Sequence, residues 1–68
     1  MEIFTKRFSE ILRQRNIEQT VFAERIDTSR HNINKYYLGK SKPPIDVLVR
    51  ICTELGVTAD YLLGMADE

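Results

Sequence analysis

Asn16, Asp27 and Gly39 punctuate the first forty residues at spacings of eleven and twelve. Glycine, asparagine and aspartate enter the left-handed backbone region most readily, and a helix that reaches such a residue stops there. The chain between them is therefore cut into short helices. Each segment carries its own apolar stripe. Over 3–15, Phe4, Phe8, Ile11, Leu12 and Arg15 follow the i, i+4, i+7, i+8, i+11 order of one helical face, while Lys6, Arg7, Glu10, Arg13 and Gln14 lie mostly off it. Over 19–26, Val21, Phe22 and Ile26 share a side; over 30–38, Ile33 faces inward, flanked by Arg30, Tyr36 and Tyr37. Pro43 and Pro44 cannot donate to a helix continuing from Leu38, so 40–44 reads as a loop.

A fourth helix is expected over 45–55, burying Ile45, Leu48, Ile51, Cys52 and Leu55 and ending at Gly56. Thr58 caps a last short helix over 59–63, in which Tyr61 and Leu62 pack back; Gly64 closes it and Met65–Glu68 reads as a frayed tail. The pattern predicts an all-α fold, a compact five-helix bundle forming one domain over 1–68.

Composition narrows the function classes. One cysteine excludes an internal disulfide, and Cys52 reads as a small apolar group within a helical stripe. No phosphate loop, metal-ligand spacing or nucleophile with a partnered base is present, so no enzyme, metal or cofactor is expected. No apolar run is long enough to span a membrane, the start of the chain has no signal-peptide pattern, and a reducing cytoplasm is the simplest location.

The segment Gln19–Gly39 is two short helices joined by the turn Asp27-Thr28-Ser29, a helix-turn-helix. Ser29 is placed to cap the second helix. That helix displays Arg30, His31, Asn32, Asn34 and Lys35 and no acid. Arg and Lys pair with guanine O6 and N7, and Asn pairs with adenine N6 and N7, so these five are candidate base readers in a major groove. A merely solvated face is the competing interpretation of the same residues. Charge distribution favours DNA. Net charge is zero, yet residues 1–42 carry nine Lys and Arg against five Asp and Glu, and residues 43–68 carry one against five. Lys40 and Lys42 follow the second helix where a phosphate backbone would run, and Gln19, Ser29 and Arg13 are further candidate phosphate contacts.

Read together, these residues resemble the Xre-like group of regulators, the phage repressor and Cro-type helix-turn-helix family with a lambda repressor-like fold. The resemblance covers about 8–64. It rests on Gln19, Ala23, Ser29-Arg30, Ile33, Gly39-Lys40, Pro43 and the closing run LGVTADYLLG. It implies operator binding as a homodimer, base contacts from Arg30, His31, Asn32 and Lys35 with Asn34 as a further candidate, and phosphate contacts from Gln19, Lys40 and Lys42. It also implies that Ala23 is small because two helices cross there. The chain departs from the family pattern at Asp27 (usually Gly), Glu18 (usually Ser or Thr) and Leu38 (commonly Asn). Leu12 and Tyr37 stand where many members pair an Arg with a Glu. Leu62, Leu63 and Met65 are candidates for a dimer contact, although packing within the monomer competes for the leucines. The expected partner is double-stranded DNA, with no membrane and no small-molecule effector; the expected role is a transcriptional regulator, most simply a repressor. The alternative is a helical protein-interaction module, such as an antitoxin or a modulator of another regulator.

Overall fold

The computed structural model describes residues 2–68. It contains α1 (Ile3–Gln14), α2 (Gln19–Arg25), α3 (Arg30–Leu38), α4 (Ile45–Leu55) and α5 (Ala59–Leu62), with no strand among the described residues. Each helix ends in the same way. Asn16 (φ 57°), Asp27 (59°), Gly39 (78°), Gly56 (68°) and Gly64 (81°) are all left-handed. In each case the next N–H donates back to the carbonyl five residues earlier: Ile17 to Leu12, Thr28 to Ala23, Lys40 to Lys35, Val57 to Cys52 and Met65 to Asp60, over 2.8–3.1 Å. This closure satisfies carbonyls that the end of a helix would otherwise strand. Two starts are capped by side chains, Ser29 Oγ accepting from the Asn32 N–H (3.1 Å) and Thr58 Oγ1 from the Tyr61 N–H (3.0 Å).

The core forms where the stripes meet. Phe8, Phe22, Leu12, Ile33, Ile51 and Leu62 are its fully buried side chains, one or two from every helix. Phe8 is the hub, with its ring 5.5 Å from Phe4 in a stacked pair and 5.7 Å from Phe22 in a tilted one. α3 packs on both α1 and α2, while α5 packs on α1 and α4. The end of α3 is seated on α1 at Gly39, where a Cβ would stand only 3.2 Å from Thr5 Oγ1. Buried Thr5 therefore fixes how closely the second helix of the motif approaches the first helix of the chain.

Several expectations are corrected. Ile45 is 81% exposed, and the buried side of α4 is Val47, Ile51 and Leu55, with Leu48 and Cys52 half-buried. Ile45 lies about 120° from Ile51 around the helix and in the turn after Pro44, so it overhangs the core. Val21 is exposed, because it sits a helical step to the outside of Phe22; Ala23 takes its place in the core. Leu63 is exposed too. Arg15 is no member of the α1 stripe: it lies beyond the end of α1, and its Nη1 donates to the Leu55 carbonyl at 2.7 Å, tying the ends of α1 and α4. The start of the expected frayed tail, Met65 and Ala66, is held. Met65 and Ala66 donate to the Asp60 carbonyl, and the Arg7 guanidinium donates to the carbonyls of Tyr61 and Ala66, the latter at 2.6 Å.

Candidate nucleic-acid interface

The turn that joins α2 to α3 is built by local chemistry. Asp27 takes the left-handed conformation, Thr28 returns its N–H to Ala23, and Ser29 leaves the turn extended (φ −92°, ψ 152°) as the cap of α3. Capping uses one lone pair of the Ser29 hydroxyl, so its O–H remains free to donate outward. α3 then presents its first turn to solvent. Arg30 and His31 are exposed, and Lys35, one turn beyond His31, is half-buried. Ile33 and Tyr36 point the other way into the core at 0% and 5% exposure.

The two asparagines flank this outward face and are both engaged. Asn32 Nδ2 donates to Thr28 Oγ1 at 3.1 Å, and Asn34 Nδ2 donates to Gln19 Oε1 at 3.1 Å. Thr28 is a participant the sequence reading overlooked; its i, i+4 spacing from Asn32 is the available signal. The Gln19–Asn34 bond joins different helices and has no local signature.

The candidate phosphate contacts are spread around the outward face of α3. Gln19 opens α2 and is half-buried; with Arg13, Asn16, Glu18 and Tyr37 it borders a shallow concavity between the end of α1 and the side of α3. Arg13 and Gln19, six residues apart on successive helices, thus line one depression. Glu18, also on its wall, adds a negative charge there. Lys40 and Lys42 lie exposed beyond Gly39. Lys42 Nζ is 3.1 Å from Glu2 Oε1, both side chains well exposed, so this pair is weak and open to exchange. Among the described residues Arg13, Arg30, Lys35 and Lys40 form no ion pair.

The described residues contain no cluster of three or more His, Cys, Asp or Glu side chains able to hold a metal ion. No helix of the described residues is long and apolar enough to cross a membrane. Burial raises the Cys52 thiol pKa above its ordinary value through desolvation, which keeps it protonated.

A family model described as a helix-turn-helix domain matches residues 5–68. The chain is also similar to a curated protein of Bacillus subtilis (strain 168) named as an uncharacterized HTH-type transcriptional regulator, YobD. The two are 26% identical over 66 residues, covering 97% of this chain and 59% of that relative. The chain thus spans 59% of the length of the curated relative it matches. The matched segment includes every residue that carries the resemblance read from the sequence.

Proposed function

Since the chain belongs to the helix-turn-helix domain family, we propose that it binds double-stranded DNA sequence-specifically and regulates transcription as a repressor, with α3 in the major groove. The observation that carries this reading is the outer face of α3. Arg30 and His31 stand exposed on its first turn, Lys35 follows one turn on, and the stretch from Thr28 to Lys42 contains no acid. Arg30 and Lys35 suit guanine O6 and N7. Asn32, with Nδ2 held by Thr28, keeps Oδ1 as an acceptor for the amino group of adenine or cytosine. Gln19, Ser29, Lys40, Lys42 and Arg13 hold the flanking phosphates and set the register.

One α3 reads few base pairs, so operator recognition requires two half-sites about one helical turn apart and hence a homodimer. The exposed Leu63 and Met65 near the C-terminal end, 46% and 76% accessible, are the residues proposed for that contact.

Selection from a random duplex pool tests the reading, with wild type and Arg30→Ala/Lys35→Ala in parallel. Wild type should enrich one motif, arranged as an inverted repeat, and the double variant should lose definition at one or two positions, about 1–3 kcal/mol per lost contact. Lys40→Ala should weaken all duplexes alike and flatten the salt slope by about one unit. No enrichment at low salt would refute the sequence-specific reading.

A further inference from the structure

The outer seam between α2 and α3 is closed by a bond between two carboxamides. Asn34 turns back from the flank of α3, and its Nδ2 donates to Gln19 Oε1 at 3.1 Å. Both side chains are half-buried, which restrains them more than free surface amides. Resting on the DNA-binding reading above, we propose that Asn34 is a positioning residue: it fixes the Gln19 carboxamide so that Nε2 faces a DNA phosphate beside Arg13, and it does not itself read a base.

The chemistry of the amide group supplies the argument. A carboxamide has an accepting end and a donating end. A phosphate only accepts, so Gln19 can serve it only through Nε2. With Oε1 occupied by Asn34, the orientation of the amide is fixed and its two N–H groups are left for other partners. Remove the Asn34 donor, and the amide is free to rotate. Part of its population then turns Oε1 toward the phosphate, where two acceptors repel. The neighbourhood makes this orientation matter. Arg13 borders the same concavity and supplies a cation that forms no ion pair among the described residues. Glu18 borders it too and opposes an anion, so a misdirected Gln19 would leave two unfavourable groups against one favourable one. On the Asn34 side, bidentate recognition of adenine needs Oδ1 and Nδ2 together. Here Nδ2 is already directed onto α2, so a bidentate contact would have to share or break that bond; Asn32 differs in that its partner Thr28 lies in the turn just before α3, whereas Asn34 lies mid-way along α3 and its amide turns back to α2.

The link also gives the motif a mechanical property. Gln19 is the first residue of α2 and Asn34 lies mid-way along α3, fifteen residues away. A phosphate contact on one helix is thus registered against the reading face of the other, so that the backbone grip and the groove insertion are set as one unit.

The test is a double-mutant cycle in the full chain. Wild type, Asn34→Ala, Gln19→Ala and the double variant are titrated on the duplexes that wild type recovers from a random pool, and on a duplex of unrelated sequence. Far-UV circular dichroism melts check that each variant is folded. Freeing one rotamer-rich side chain predicts that Asn34→Ala weakens binding about 2–10-fold on every duplex, with the recovered motif unchanged. In the Gln19→Ala background, Asn34→Ala should have no further effect on binding. Asn34→Asp gives an independent arm. A carboxylate can only accept, so Gln19 must turn Nε2 toward it and show Oε1 to the phosphate. Its loss should exceed that of Asn34→Ala while Gln19 is present, and shrink to the effect of the added charge when Gln19 is absent. The proposal is overturned if Asn34→Ala relaxes preference at a base pair, or if its effect persists undiminished without Gln19. Failure of wild type to bind any duplex would be a different result: it would refute the DNA-binding reading itself, and this inference with it.

Discussion

Replacing Arg7 by alanine should cost this domain a large part of its stability. The guanidinium donates to the carbonyls of Tyr61 and Ala66, lies 4.4 Å from the centre of the Tyr61 ring, and reaches Asp67 at 4.0 Å. These contacts are unequal. Asp67 is fully exposed, so its pairing is screened and adds nothing that needs counting. Hydrogen bonds from a charged donor are worth about 1.5–3 kcal/mol each, and a partly desolvated cation–π contact about 0.5–2 kcal/mol. The contacts share one side chain and the carbonyls regain water when it is removed, so the sum overstates the loss; about 2–4 kcal/mol is the expected cost. A domain of this size has about 3–10 kcal/mol in all.

At about 4–8 °C per kcal/mol, the melting temperature should fall by about 10–30 °C. Thermal and urea unfolding followed by far-UV circular dichroism measures it. Arg7→Lys provides the internal control, because an ammonium on a shorter side chain can donate to the carbonyls but has no planar guanidinium to lie over the Tyr61 ring; it should recover part of the loss. Salt separates the partners: the difference between wild type and Arg7→Ala should hardly change with ionic strength, since its main acceptors are carbonyls. A loss under about 1 kcal/mol would refute the claim that Arg7 anchors the C-terminal segment, since that is below the value of one such bond. A loss that vanishes in high salt would transfer the role to Asp67.

Three further outcomes follow from single positions. Asp27→Gly should raise stability by up to about 1 kcal/mol, because glycine removes the left-handed strain at φ 59° and gives back only part of it as unfolded-state entropy; a lower melting temperature would refute this. Ala23→Leu should cost about 1–3 kcal/mol by forcing bulk into a side-chain site only 2% exposed, and urea midpoints for the two proteins check it. Cys52 should react with iodoacetamide more slowly in the folded chain than in urea, since burial raises its pKa. Below the ordinary thiol pKa both states are protonated and stability does not change with this group; above it the unfolded chain ionises first, so stability falls with rising pH until the raised pKa is reached and stays at the lower value beyond it.

What could be read from the sequence was decided within a few residues along the chain. The five helix stops at Asn16, Asp27, Gly39, Gly56 and Gly64 are local events, each closed by a bond spanning five residues. The caps at Ser29 and Thr58 are local in the same sense. Periodicity was a weaker guide because it fixes an angle and not the distance to a neighbour. Ile45 and Val21 each lie to the side of their helix's buried face, in the first turn, and are exposed. Arg7 and Arg15 were illegible for another reason. Their acceptors are carbonyls 40–59 residues away, and a backbone carbonyl carries no sequence identity. The candidate site divides along the same line. Exposure of His31 followed from helical angle and that of Arg30, which by angle flanks the buried Ile33, from its place at the start of α3, whereas the Gln19–Asn34 bond exists only once two helices have packed.

The zero net charge of the chain is consistent with binding a polyanion once position is considered. Nine of its ten Lys and Arg residues precede position 43, and five of its ten Asp and Glu residues follow it. Acids on α4, α5 and the C-terminal segment act on a phosphate beside α3 only through a screened field whose range is about 8 Å at physiological salt. Within that range the balance is local. Arg30, Lys35 and Lys40 face no acid in their own stretch, Lys42 exchanges one weak partner for another, and Glu18 alone opposes the Arg13 concavity. On the proposed reading, such a distribution favours docking through α3. A uniformly basic domain would adhere to DNA through any face, while here the acid-free stretch Thr28–Lys42 concentrates cations on α3 and the segment after it. On the proposed DNA-binding reading, segregated charge would contribute to orientation as well as to affinity.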